Sequence, residues 1–134
     1  MHKKQVRKFY SVLWDAHDKE AIPSVLHKDV TFRGSLGLEK KGHSGFAEYV
    51  DLVHEALGDF RCIIEDLVSE EDRVFAKMTF SGIHQSELMG YPPTHQRVSW
   101  PGAALFTFKG DRVMEVWALG DRKTLEEQLK AHVS

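Results

Sequence analysis

The sequence predicts an α+β domain in which a strongly curved sheet wraps around N-terminal helices and leaves a cone-shaped cavity. Three observations predict it. Helical spacing comes first: Val6, Phe9, Tyr10, Leu13, Trp14 and His17 recur on one broad face. From about Phe60 onward the period changes to two, giving a long antiparallel meander. That meander has more hydrophobic length than a flat two-layer pack needs, and Gly82 and Gly102 lie inside its strands, where glycine marks a bend or bulge. A chain of 134 residues suits one domain, 1–134, with one hydrophobic core.

The elements follow in order. The first helix runs from about Gln5 to His17. Asp18 caps a short second helix, kept short by Pro23, with Val25 and Leu26 as its apolar contacts. Val30 to Arg33 reads as a first strand, and Gly34 to Gly45 as a polar, glycine-rich connection. The next helix carries Phe46, Tyr49, Val50, Val53, His54 and Leu57 on one side and stops at Gly58-Asp59. Phe60 to Val68 is a strand and Glu70-Glu71-Asp72 a charged turn. Val74, Ala76, Met78, Phe80, Gly82 and His84 share one face of the next strand. Gln85 to Thr94 is a loop stiffened by Pro92 and Pro93. Val98, Trp100, Gly102, Ala104, Phe106 and Phe108 share one face of another strand. In it Pro101 cannot donate a ladder hydrogen bond, so a bulge or edge is expected there. Lys109-Gly110-Asp111 turns the chain into a last strand, with Val113, Glu115, Trp117, Leu119 and Asp121 on one parity. Thr124 to Ala131 closes the chain as a helix.

Composition narrows the function classes. Apolar residues make up 42% and charged residues 28%, with a formal net charge of -2. Basic residues are scattered rather than striped, which argues against nucleic acid as a partner. No apolar run reaches membrane-span length, and no apolar segment backs the basic N-terminus. Cys62 is the single cysteine; it suits a reducing, cytoplasmic setting and reads as an inert buried thiol. The eight histidines are dispersed, and His43 to Glu48 lacks zinc-protease spacing, so no metal is expected. There is no phosphate-binding glycine loop and no Gly-x-Ser-x-Gly elbow, so no cofactor is expected either.

Two polar residues are candidates for chemistry. Asp121 ends the last strand just before the closing helix. At the rim of an apolar cavity, desolvation would raise its proton affinity and suit it to acid–base work; equally, it is placed to cap the helix containing Thr124. His84 ends the face that carries Met78 and Phe80. It can hold a substrate carbonyl, or it can be a core histidine satisfied by backbone. Trp14, Phe32, Met78, Phe80, Trp100 and Trp117 form a candidate pocket lining for a small hydrophobic ligand; the alternative is that they fill the core. On the opposite parity, Phe75, Ile83 and Leu105 offer a surface for a second subunit.

Several of these stretches carry a family resemblance: Gly82-Ile83-His84, Gly90-Tyr91-Pro92-Pro93-Thr94, Phe106 to Val113, and Glu115-Val116-Trp117 followed by Asp121. With Trp14 to Asp18 and Asp29 to Phe32, they resemble the SnoaL-like polyketide cyclase family of the NTF2-like superfamily. The resemblance covers nearly the whole chain. It implies a conical α+β fold with a mixed, mostly antiparallel sheet, and a homodimer packed through outer sheet faces. It also implies ring closure by an intramolecular aldol step without metal or organic cofactor. The family's acid–base aspartate corresponds to Asp121, and a histidine common in its Gly-x-His stretch to His84. The chain departs from the pattern at His95, where glycine is usual, and at Thr107, where proven cyclases tend to carry a second histidine. Thr107 cannot act as a general base.

The expected function is cofactor-independent cyclisation or isomerisation of a small hydrophobic carbonyl compound, with Asp121 moving the proton and His84 assisting. The alternative is a non-catalytic domain that binds a small apolar molecule.

Overall fold

The computed structural model describes residues 2–133. Helix α1 (His2–Lys8) continues without a break as a π-helix over Phe9–Asp15. The wider turn, closed by Ala16 N–H donating to the Ser11 carbonyl at 3.0 Å, presents Phe9, Tyr10, Leu13 and Trp14 together to the core. Asp18 accepts from the Glu20 N–H at 3.1 Å and starts the short 3-10 turn Lys19–Ala21, which leads into α2 (Ile22–Val25). Strand β1 (Leu26–Arg33) is followed by β2 (Glu39–Lys41), a short hairpin partner within the segment that reads as pure connection. Helix α3 (Gly42–Ala56) buries Phe46, Tyr49, Val50 and Val53.

The remaining strands are β3 (Leu57–Glu70), β4 (Arg73–His84), β5 (Arg97–Lys109) and β6 (Arg112–Gly120), and α4 (Arg122–Val133) closes the fold. The sheet order is β2-β1-β6-β5-β4-β3. Among the described residues only β1 and β6 pair in parallel; the other neighbours are antiparallel. The result is an N-terminal helical cluster wrapped by a curved, mixed, mostly antiparallel sheet, which is the NTF2-like cone.

Bulges supply the curvature. In β3 the register slips opposite Gly82 and again between Ile64 and Asp66, and each extra residue bends its strand and increases its twist. Gly58-Asp59 does not end α3 in a loop: Leu57 is already extended and fully buried, and Asp59 takes φ 47° within the bulge. Pro101 needs no bulge either, since the β4–β5 register runs through it unbroken. Its carbonyl accepts from the Asp121 N–H at 2.9 Å, so its nitrogen faces the point where β6 stops pairing.

The bulge with the largest consequence lies in β6. Thr107 pairs with Glu115 but Phe108 pairs with Val113, so Met114 is the extra residue. A one-residue slip turns every following side chain to the other face. Beyond Met114 the inward residues are therefore Val116 and Ala118, not Trp117 and Leu119. The expected parity of the last strand holds at Val113 and fails after it.

Candidate functional site

The cone encloses a cavity with an aromatic wall. The helices contribute Phe9, Tyr10, Trp14, Tyr49 and Val53; the strands contribute Phe32, Phe60, Cys62, Phe80, Trp100, Val116 and Ala118; Ser35 and Leu36 close the mouth from the β1–β2 loop. Trp14 meets Phe60 at 5.4 Å between ring centroids and Tyr49 edge-on at 5.9 Å, while Phe80 lies 5.8 Å from Trp100. The space between these rings is about 20 Å³ for the centre of a water-sized group, room for about one water.

No wall residue carries a formal charge at neutral pH. Burial pushes the Tyr10 hydroxyl and the Cys62 thiol well above their ordinary values. Burial also pushes Tyr49 up to about 12, against the Leu36 amide and the charges of Arg33 and Arg122. Two buried polar atoms of the wall, Tyr49 Oη and Trp100 Nε1, have no hydrogen-bond partner. The Leu36 amide approaches Tyr49 Oη without meeting hydrogen-bond geometry.

The structure gathers four of the six expected lining residues into this wall: Trp14, Phe32, Phe80 and Trp100. Met78 is buried in the core and does not reach the cavity. Trp117 is 43% exposed on the outer face, with the Arg33 guanidinium 5.8 Å from its ring centroid, because the Met114 bulge has turned it outward. Tyr10, Tyr49 and Phe60 are wall residues that sequence reasoning did not single out for the pocket. A signal for Tyr49 was present: it is the one hydroxyl on the otherwise apolar face of α3, and a buried tyrosine needs a partner for its oxygen.

Asp121 sits outside the cavity. Its Oδ1 accepts from the Thr124 N–H at 3.0 Å and its Oδ2 from the Thr124 hydroxyl at 2.7 Å, the geometry of a helix cap for α4. These bonds, the hydroxyl's first, hold its carboxyl below the ordinary value, with desolvation opposing them. The strand end is nevertheless close to the mouth. A Cβ on the preceding Gly120 would fall 2.9 Å from Trp100 Nε1 and 2.8 Å from the Ser35 carbonyl.

His84 is fully buried but does not line the cavity. It lies beneath the loop 85–96, with Nδ1 3.1 Å from the Thr94 hydroxyl and Nε2 unpartnered. Burial lowers its proton affinity. At His95, where glycine is usual in the family pattern, the backbone still takes the left-handed conformation, with φ 59°.

Two other carboxylates stand out. Asp15 follows Trp14 in the π-helix and accepts from the Cys62 N–H at 2.9 Å; burial raises its proton affinity, opposed by the Cys62 and Arg61 contacts. Asp51, on α3, pairs with Lys19 at 2.9 Å and His17 at 2.7 Å, which lower its pKa in that order. Its side chain is 45% exposed, so it is a surface ion pair rather than a buried acid. Among the described residues, no group of three or more His, Cys, Asp or Glu side chains could hold a metal ion, and no helix is long and apolar enough to cross a membrane.

Similarity to known proteins agrees with this architecture. The family model for SnoaL-like polyketide cyclases matches residues 4–129. A candidate polyketide cyclase from Acidithiobacillus ferrooxidans superposes with a TM-score of 0.85 at 24% identity, covering 98% of this chain and 95% of that one. A candidate hydroxylase from Streptomyces galilaeus gives 0.81 at 26% identity, over 96% and 84% of the two chains. A SnoaL-like polyketide cyclase from Agrobacterium tumefaciens gives 0.82 at 21% identity, over 96% and 98%. No curated protein matches the chain. The different activities attached to these neighbours illustrate that this fold does not fix one chemistry. The cone, its aromatic cavity and the match along almost the whole length place this chain in the SnoaL-like polyketide cyclase family of the NTF2-like superfamily.

Proposed function

We propose that this protein binds a small hydrophobic carbonyl compound in the aromatic cavity. The observation that carries the reading is a wall of aromatic and aliphatic side chains with no charged member; its titratable groups, Tyr10, Tyr49 and Cys62, are neutral at pH 7, and burial raises all three further. Such a wall favours an uncharged, apolar ligand and contains no base at neutral pH. The test is a thermal-shift and tryptophan-fluorescence screen of neutral ring compounds beside their charged analogues. Neutral members should raise Tm with concentration and be recovered unchanged. A response restricted to charged members would refute the assignment.

Family membership and the closeness of Gly120 to Trp100 and Ser35 favour a second reading, cofactor-independent cyclisation or isomerisation. In this reading the substrate reaches out of the mouth, and Asp121, one residue beyond Gly120, takes a proton from the carbon next to its carbonyl. The same carboxyl returns that proton to the product. His84 then acts through the loop 85–96 rather than on the substrate. Product analysis with wild type, Asp121→Asn and Asp15→Asn separates the cases: conversion lost only in Asp121→Asn supports this reading, and conversion lost only in Asp15→Asn moves the proton transfer to the acid with the raised pKa. For assembly, we propose a homodimer through the outer sheet face, where Ile63, Phe75, Trp117 and Leu119 are exposed. Sedimentation of a monomer at micromolar concentration would exclude it.

A further inference from the structure

The cavity is almost wholly apolar, yet two of its wall residues carry a buried polar atom without a partner. Tyr49 and Trp100 are 2% and 1% exposed, both line the wall, and neither Tyr49 Oη nor Trp100 Nε1 has a partner. Among the described residues the other such atom is His84 Nε2, which lies outside the wall. A buried donor without a partner costs free energy, so a satisfied donor is the rule in folded proteins.

The two polar atoms lie near the same stretch of chain, Gly34-Ser35. A Cβ on Gly34 would overlap Tyr49 Oη, and a Cβ on Gly120 would fall 2.9 Å from Trp100 Nε1 and 2.8 Å from the Ser35 carbonyl. Gly34 and Gly120 thus leave space for the two polar groups beside the Gly34-Ser35 segment at the mouth.

We propose that Tyr49 Oη and Trp100 Nε1 are the ligand-anchoring donors of this cavity, and that they select an uncharged ring compound carrying a ketone-type oxygen. The inference rests on the binding reading above and names the chemistry of its ligand. An indole N–H donates and never accepts, so its partner must be an acceptor. A tyrosine hydroxyl can donate to the same kind of group. The wall itself carries no cation, while the Arg33 and Arg122 charges act on Tyr49 from outside it, so benzoate is the probe that reads whether an acid is taken. Space for about one water-sized group matches the oxygen end of such a ligand; its ring displaces Leu36, which is partly buried at the mouth.

The test uses three probes of similar size: acetophenone, ethylbenzene and benzoate. Each is titrated into the intact protein while the indole N–H signals of Trp14, Trp100 and Trp117 are followed by NMR. Acetophenone should shift the Trp100 N–H signal, and ethylbenzene should leave it in place. In Tyr49→Phe and in Trp100→Phe, the affinity for acetophenone relative to ethylbenzene should fall about three- to tenfold, the range for one net hydrogen bond. Ethylbenzene affinity itself should hold in Tyr49→Phe, which removes only the hydroxyl. If Trp100→Phe does not fold, Tyr49→Phe and the Trp100 signal carry the test. An unchanged ratio in Tyr49→Phe, a Trp100 signal indifferent to acetophenone, or tighter binding of benzoate than acetophenone would each overturn the donor assignment while leaving an apolar binding cavity. Binding of none of the probes would overturn both.

Discussion

Replacing Tyr49 by phenylalanine should stabilise the ligand-free protein. The ring stays in contact with Trp14 and Phe32, and only a buried hydroxyl without a partner is lost. An unsatisfied buried polar group costs about 1–3 kcal/mol. The Leu36 amide close to the hydroxyl reduces the recoverable part, so we expect a gain of about 1 kcal/mol. For 134 residues the unfolding entropy is about 0.28 kcal/mol/K, so that gain raises Tm by about 3–4 °C. The pH dependence sharpens the test. Tyr49 is pushed from 10.0 to about 12 by burial, so the fold favours its neutral form. Its contribution is fully present below pH 10 and is lost as pH rises towards 12, at about 1.4 kcal/mol per unit. Tyr49→Phe escapes that loss, and its advantage should stay level up to about pH 9 and widen from pH 10 to pH 11. Urea unfolding of both proteins at each pH reads the difference directly. A variant less stable than wild type would show that the hydroxyl is satisfied, and a difference flat between pH 10 and pH 11 would show that its folded pKa is not raised; either result would refute the reasoning.

Three further outcomes are expected. Gly120→Ala places a methyl group 2.8 Å from the Ser35 carbonyl and 2.9 Å from Trp100 Nε1; it should cost about 1–3 kcal/mol by calorimetry and abolish ligand-induced Tm shifts, since it crowds the mouth. His95→Gly relieves a left-handed backbone at φ 59° and should stabilise by about 1 kcal/mol in urea unfolding; no gain would mean that the imidazole earns its place through contacts of its own. Lowering pH should destabilise the fold, because His84 and His54 are both held neutral, chiefly by burial. With folded pKa values below 6.5, their contribution is full above that pH and is lost as pH falls through the lowered values; His84→Gln should flatten part of that slope in a Tm-versus-pH series.

Much of the cone was legible before any coordinates. The faces of α1, α3, β4 and β5 follow from periodicity, because each buries one side against the core. The caps at Asp18 and Asp121 follow from local chemistry, since a carboxylate before a helix can reach an N–H two or three residues on. The cavity was less legible. Trp14, Phe32, Phe80 and Trp100 were recognisable as large apolar residues on inward faces, but a similar pattern also described Met78, which packs without reaching the void.

The sequence alone determined the α+β order, the inward faces of the regular strands, the cap capacity of Asp121 and the resemblance to the family that the match over residues 4–129 shows. Only the tertiary structure decided which groups share the cavity. The Met114 bulge is invisible to an alternation rule, because a bulge forms where pairing with β1 and β5 and curvature of the sheet favour one extra residue. That single insertion turns Trp117 outward and lets Val116 and Ala118 line the wall. Likewise, whether Tyr49 Oη and Trp100 Nε1 find partners depends on chain segments far apart in sequence that meet only at Gly34-Ser35 and Gly120. Local propensity sets each element, but an unpaired donor is a property of everything packed around it.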